Sequence, residues 1–98
     1  MISGTDSPCV TGVPVCVVPA FNASESVAGV VAAVRRHLGT VFVLGVDDGS
    51  TDGTRSVLKH TCDHVLSFDA NRGKGAALRT AFAYVADRFP RSAVVTLD

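Results

Sequence analysis

The stretch VFVLGVDDGSTDGT, residues 41–54, runs from an apolar segment directly into paired carboxylates, Asp47 and Asp48, followed by Gly49, Asp52 and Gly53. A short, continuous, β-branched apolar run that ends in turn residues reads as a strand buried on both faces, the kind found in parallel sheets. Nothing in the packing of such a strand asks for two adjacent charges, so Asp47 and Asp48 belong to its tip rather than to the core behind it.

Working outward, the same alternation recurs on both sides. VPVCVVPA (13–20), HVLSFD (64–69) and SAVVTLD (92–98) read as three further strands. Between them lie segments of helical periodicity. Residues 24–39 place Val27, Val30, Val31, Val34 and Leu38 at helical spacing. Ser24 stands as a candidate N-cap, Arg35, Arg36 and His37 fall in the last turn, and Gly39 is the stop. Residues 52–62 form a short second helix capped by Asp52. Residues 73–89 form a third, with Leu78, Ala81, Phe82, Val85 and Phe89 on one face and Pro90 at its end. The order β-α-β-α-β-α-β with short connections predicts an α/β fold, a Rossmann-like parallel sheet of about four strands with three helices spread over both faces. Residues 1–12 read as a flexible leader, and residues 13–98 as one domain.

Composition narrows the function. Nine basic residues balance nine acidic ones, which leaves no electrostatic footprint for nucleic acid or an anionic membrane. The three cysteines, Cys9, Cys16 and Cys62, have no CxxC spacing and leave one unpaired in any disulfide scheme, which favours a reducing compartment. His60, Cys62 and His64 alternate suggestively but lack the remaining members of a four-ligand zinc site. No signal peptide and no apolar run of membrane-spanning length is visible. A cytoplasmic setting is expected.

Ligands of such sheets bind beyond the carboxyl ends of the strands. All four tips here are polar: PAFN after the first strand, DDGSTDG after the second, DANRGKG after the third, and Asp98 after the fourth. Common motifs fail on these loops. Gly45, Gly49 and Gly53 are spaced by fours and follow the second strand, so they are not a dinucleotide fingerprint. NRGKGAA lacks the Ser or Thr of a P-loop. An EF-hand register starting at Asp48 ends on Lys59, where calcium requires a glutamate.

Taken together and in order, VCVVPAFN, VDDGSTDGT, NRGKGAAL and VVTLD resemble the nucleotide-binding half of an inverting GT-A glycosyltransferase of family 2, the group that includes dolichyl- and undecaprenyl-phosphate sugar transferases. The resemblance covers residues 13–98. It implies a UDP- or GDP-sugar donor and an acceptor such as a polyprenyl phosphate, lipid or glycan. Asp47 or Asp48 would accept a hydrogen bond from a base N–H or ribose hydroxyl, a role suited to an acceptor-only carboxylate. Pro19, Ala20 and Phe21 stand where the family has PAYN; Phe21 keeps a ring for the base and loses the tyrosine hydroxyl. Ala23 and Ser24 replace two of the acids that usually follow, leaving Glu25. Arg72 and Lys74, between glycines at the head of the third helix, suit a pyrophosphate or a base oxygen. Asp98 matches the first carboxylate of the family's D-x-D motif and is the expected ligand of an Mg²⁺ or Mn²⁺ ion on the two phosphates. The second aspartate of that motif, the catalytic base and the acceptor site are expected beyond Asp98, so this chain by itself is expected to be incomplete and inactive. Two other readings stay open on the residues alone: a non-catalytic nucleotide-binding module or remnant, and a doubly wound regulatory or interaction domain with acidic tips.

Overall fold

The computed structural model describes residues 13–97. Its elements, in order, are β1 (Val15–Ala20), α1 (Val27–Leu38), β2 (Phe42–Asp47), α2 (Thr54–Thr61), β3 (His64–Ser67), α3 (Lys74–Arg88) and β4 (Val94–Thr96). All pairings are parallel and the strand order is β3-β2-β1-β4. The α/β reading of the sequence is therefore the fold that forms.

Alternation along the strands sends successive side chains to opposite faces, and each face has its own core. Val15 and Val17 of β1 and Leu44 and Val46 of β2 meet Ala77, Ala81 and Val85 of α3. Cys16 and Val18 of β1 and Val43 of β2 meet Val27, Val31 and Val34 of α1 and Leu58 of α2. Gly45 is the exception that makes room: a Cβ there would lie 3.0 Å from both Leu58 Cδ2 and Cys62 Sγ.

The chain steps outward through β1, β2 and β3 with α1 and α2 on one face. It then returns across the sheet through α3 on the other face to pair β4 with β1. Reversing direction and changing face together keeps the hand of the crossovers the same, as parallel units require. β1 and β4 are thus neighbours whose connections leave in opposite directions. A crevice opens at the carboxyl ends of such a pair.

Several details differ from the sequence reading. α1 starts at Val27, with Ser26 rather than Ser24 at its N-cap position. Val30 and Leu38 were expected in the core, yet they are 38% and 41% exposed. The buried stripe of α1 is only as wide as Val27, Val31 and Val34, and its flank overhangs the short strand β4. There Val30, Leu38, Val95 and Leu97 line an apolar groove of about 360 Å³. Phe82, read on one face of α3 with Leu78, Ala81, Val85 and Phe89, is 45% exposed. Small Ala77 and Ala81 let α3 sit close on the sheet, and Phe82, about 100° further round the helix than Ala81, points away.

Cys16 is buried and Cys62 half-buried, both as free thiols whose pKa is raised by burial. Cys9 lies outside the described residues.

Candidate functional site

Three loops follow the tips of β1, β2 and β3, and side-chain-to-backbone hydrogen bonds tie each to the next. Asn22 stands at φ 50°. Its N–H donates to Ser50 Oγ (2.9 Å) and its Oδ1 accepts from the Thr51 N–H (2.9 Å). The Ala23 N–H donates to Thr54 Oγ1 (2.8 Å). Asp52 binds the Thr54 N–H at 2.9 Å, the Thr54 hydroxyl, and the Ser24 N–H at 3.3 Å. Asp52 was expected to cap α2, but the helix begins at Thr54 with Gly53 at its N-cap position; Asp52, one residue earlier, accepts from the first helical N–H and fastens the β1–α1 loop to the β2–α2 loop.

Those hydrogen bonds, the Thr54 hydroxyl foremost, hold the Asp52 carboxyl down to about 2. Its folded pKa lies below the unfolded value of about 3.9, so it favours the folded state above that value and loses its effect as pH falls towards 2. Asp52→Asn is expected to flatten the fall of the urea midpoint between about pH 4 and pH 2. An unchanged acid limb would remove Asp52 from the latch.

The two aspartates at the tip of β2 have separate tasks. Asp47 is fully buried. Its Oδ1 accepts from the Ser50 N–H (3.1 Å) and its Oδ2 from Arg55 Nε (3.2 Å). Arg55 reaches on towards the Phe68 carbonyl (3.5 Å), and the Phe68 N–H donates to the Asp47 carbonyl (2.9 Å). Asp47 is thus the internal brace between the β2 and β3 tips.

Asp48 is 5% exposed and reaches the β3–α3 loop. Its Oδ1 accepts from the Arg72 N–H (2.7 Å). Its Oδ2 accepts from the Gly73 N–H (3.0 Å) and from Asn71 Nδ2 (3.1 Å). No side chain caps α3 from its own N-cap position, which is Gly73. Asp48 supplies the negative charge there from across the sheet edge, where the helix dipole favours it. Gly49 lets the two loops touch. At φ +75°, a Cβ on it would lie 2.3 Å from the Ala70 carbonyl carbon and 2.4 Å from the Asn71 nitrogen.

Between these loops lies a cleft of about 260 Å³. Pro19, Ala20 and Phe21 form one wall, Asp48 and Asn71 the floor, and Gly73, Lys74 and Ala77 at the start of α3 the other wall. The Phe21 ring is 48% exposed. An exposed aromatic, a carboxylate lining the cleft and a helix N-terminus beside a lysine together offer stacking, an acceptor and an anion seat.

A model of the glycosyl transferase family 2 domain matches residues 15–98, almost all of this chain. The chain belongs to glycosyl transferase family 2. It is similar to the glycosyltransferase AglJ of Haloferax volcanii, 38% identical over 85 residues that make up 86% of this chain and 26% of that protein. It is similar also to the succinoglycan biosynthesis protein ExoU of Rhizobium meliloti, 36% identical over 75 residues, 70% of this chain and 22% of that protein. The chain therefore spans about a quarter of the length of these family 2 relatives.

Of the residues singled out in the sequence, the fold gathers Pro19, Ala20, Phe21, Asp48 and Lys74 around one cleft of this family 2 domain. Asp47 is fully buried and does not line that cleft. Arg72 contributes its backbone N–H, while its guanidinium lies over the Phe68 ring at 4.8 Å from the centroid. Asp98 lies outside the described residues. Sequence reasoning missed Asn71 and Arg55, which hold Asp48 and Asp47. Asn71 carried a signal in its place at the start of NRGKG, whereas Arg55 looks like any exposed helix residue until the fold brings it to Asp47. His60, Cys62 and His64 form no metal cluster; the described residues hold no group of three His, Cys, Asp or Glu side chains placed for a cation.

Proposed function

We propose that the cleft is the donor site of a glycosyltransferase and holds the nucleoside diphosphate of a UDP- or GDP-sugar. The observation that carries this reading is the meeting of Asp48, the Phe21 ring and the head of α3 at one sheet edge. In the proposed complex the base stacks on Phe21 and donates an N–H to Asp48. The pyrophosphate lies towards Lys74 and the first turn of α3, where the helix dipole favours an anion. Asp47 and Arg55 touch no ligand and keep the loops in place. The Arg72 guanidinium, over Phe68, acts on the loop rather than on the phosphates.

The reaction proposed for the whole protein is transfer of the sugar with inversion to a polyprenyl phosphate, lipid or glycan. The name of the relative ExoU, a succinoglycan biosynthesis protein, supports a glycan. Among the described residues no helix is long and apolar enough to cross a membrane. We place the protein in the cytoplasm, at the inner membrane face when the acceptor is a lipid. Mg²⁺ or Mn²⁺ enters the proposal through Asp98. Each carboxylate oxygen of Asp47 and Asp48 already accepts at least one N–H, and the described residues hold no group of three His, Cys, Asp or Glu side chains placed for a cation, so they do not by themselves fit a metal, and no step is derived through one.

Calorimetric titration of the folded chain with UDP and GDP, each with and without Mn²⁺, tests the reading. At least one nucleotide is expected to bind, and Phe21→Ala should weaken it by about 1 kcal/mol, the low end of base–aromatic stacking. Because the ring is exposed, the same change should leave the melting temperature within a degree or two, a shift of a few tenths of a kcal/mol. A folded chain that binds neither nucleotide at millimolar concentration would refute the donor site.

A further inference from the structure

We propose that Asn71 selects the base, restricting the cleft to a pyrimidine with one imide N–H, uracil or thymine, and turning guanine away. The inference rests on the donor-site reading and goes further by counting acceptors on Asp48.

A carboxylate offers about four lone-pair sites, two on each oxygen. On Oδ2 of Asp48 both are taken, one by the Gly73 N–H and one by Asn71 Nδ2. On Oδ1 one is taken, by the Arg72 N–H. Against the donors of the described residues, a single acceptor site remains, on Oδ1. The orientation of the Asn71 amide follows from its neighbours: Nδ2 also points to the Asp48 carbonyl oxygen at 3.3 Å, and the reverse orientation would set oxygen against oxygen at both contacts.

Guanine presents two adjacent donors, the ring N1–H and the exocyclic amino group, and needs one open site on each carboxylate oxygen. Only the first would find one. The second would face the filled Oδ2 and the amide NH₂ of Asn71, donor against donor. Uracil and thymine present a single N3–H on that edge and match the single open site. A donor that loses its water on binding and finds no acceptor costs enough to lower affinity by roughly tenfold or more. Asn71 touches no reacting atom in this scheme. It acts by occupying an acceptor, so its removal should alter the choice of base more than the strength of binding.

The test is the ratio of dissociation constants for UDP, dTDP and GDP, measured on the full chain and on Asn71→Ala. Roughly tenfold or greater preference for UDP over GDP is expected in the parent chain, with the Asn71→Ala ratio falling towards one because Oδ2 regains an open site. The dTDP arm separates uracil from thymine, whose extra methyl group must also fit. A merely structural Asn71 would weaken all three nucleotides in proportion. Equal binding of UDP and GDP by the parent chain, or a ratio that Asn71→Ala leaves unmoved, would overturn the inference while leaving the donor site standing. Failure of all three nucleotides to bind would remove both. Should Asn71→Ala fold poorly, Asn71→Ser gives the same ratio with a smaller change, and the parent ratio is read without any variant.

Discussion

Replacing Gly49 by alanine is expected to cost on the order of 4 kcal/mol, a large share of the 5–15 kcal/mol that holds a domain of this kind together. Two effects add. The backbone stands at φ +75°, a region that costs an L-residue roughly 1–2 kcal/mol. The new Cβ would also sit 2.3 Å from a backbone carbon of Ala70, and no side chain can turn aside to relieve that. The β3–α3 loop must therefore move off the β2 tip, stretching the three hydrogen bonds that Asp48 receives from it. Gly73→Ala is the control. Gly73 has φ +92° but no atom within 4 Å of its missing Cβ, so it should lose only backbone strain, about 1–3 kcal/mol. Urea midpoints of the two variants and the parent decide the matter. A Gly49→Ala loss below that of Gly73→Ala would mean that the loops do not meet as described.

Asp48→Ala is expected to lower nucleotide affinity by roughly ten- to a hundredfold, the effect of a lost hydrogen bond to a charged group. It should also destabilise the fold by about 2 kcal/mol, because the N–H groups of Arg72 and Gly73 and the Asn71 amide lose their acceptor. Asp47→Ala gives the contrast. The buried Asp47 binds Ser50 and Arg55 and does not line the cleft, so its loss should appear mainly as reduced stability. Arg55 is 47% exposed at its side chain and can turn to water when left alone. Titration and denaturation of both variants separate the roles. Equal loss of affinity in the two, with equal loss of stability, would show that the pair acts as one structural unit and that Asp48 has no ligand of its own.

The fold was legible because each strand is a compact apolar run and the segments 24–39 and 73–89 carry stripes of apolar residues at helical spacing. The limits of those stripes were not. Whether Val30, Leu38 and Phe82 are covered depends on what lies opposite them, and period alone does not say that a short β4 leaves α1 overhanging. At the site, the position of Phe21, Asp48 and Lys74 at strand and helix ends was readable from spacing. The split between Asp47 and Asp48 was not, because adjacent residues at a strand tip point to opposite sides and only the pairing register tells which side is the cleft. Asn71 and Arg55 act on those aspartates across 23 and 8 positions of sequence, a distance at which no local pattern operates.

The place of β1 between β2 and β4 has a consequence for the growing chain. β1 leaves the ribosome before β2, which follows with the helix that joins them. The β1–β2 pair and its α1 face can form at that stage. Val15, Val17, Leu44 and Val46 on the opposite face have no cover until α3 emerges, and the second edge of β1 has no partner until residues 94–96 are made. Closing pairs so far apart in sequence is slow, and a half-covered sheet with an open edge invites association with other chains. The cleft is therefore finished only once α3 has emerged, since the α3 residues that complete its wall arrive after the strand and loops that form the rest.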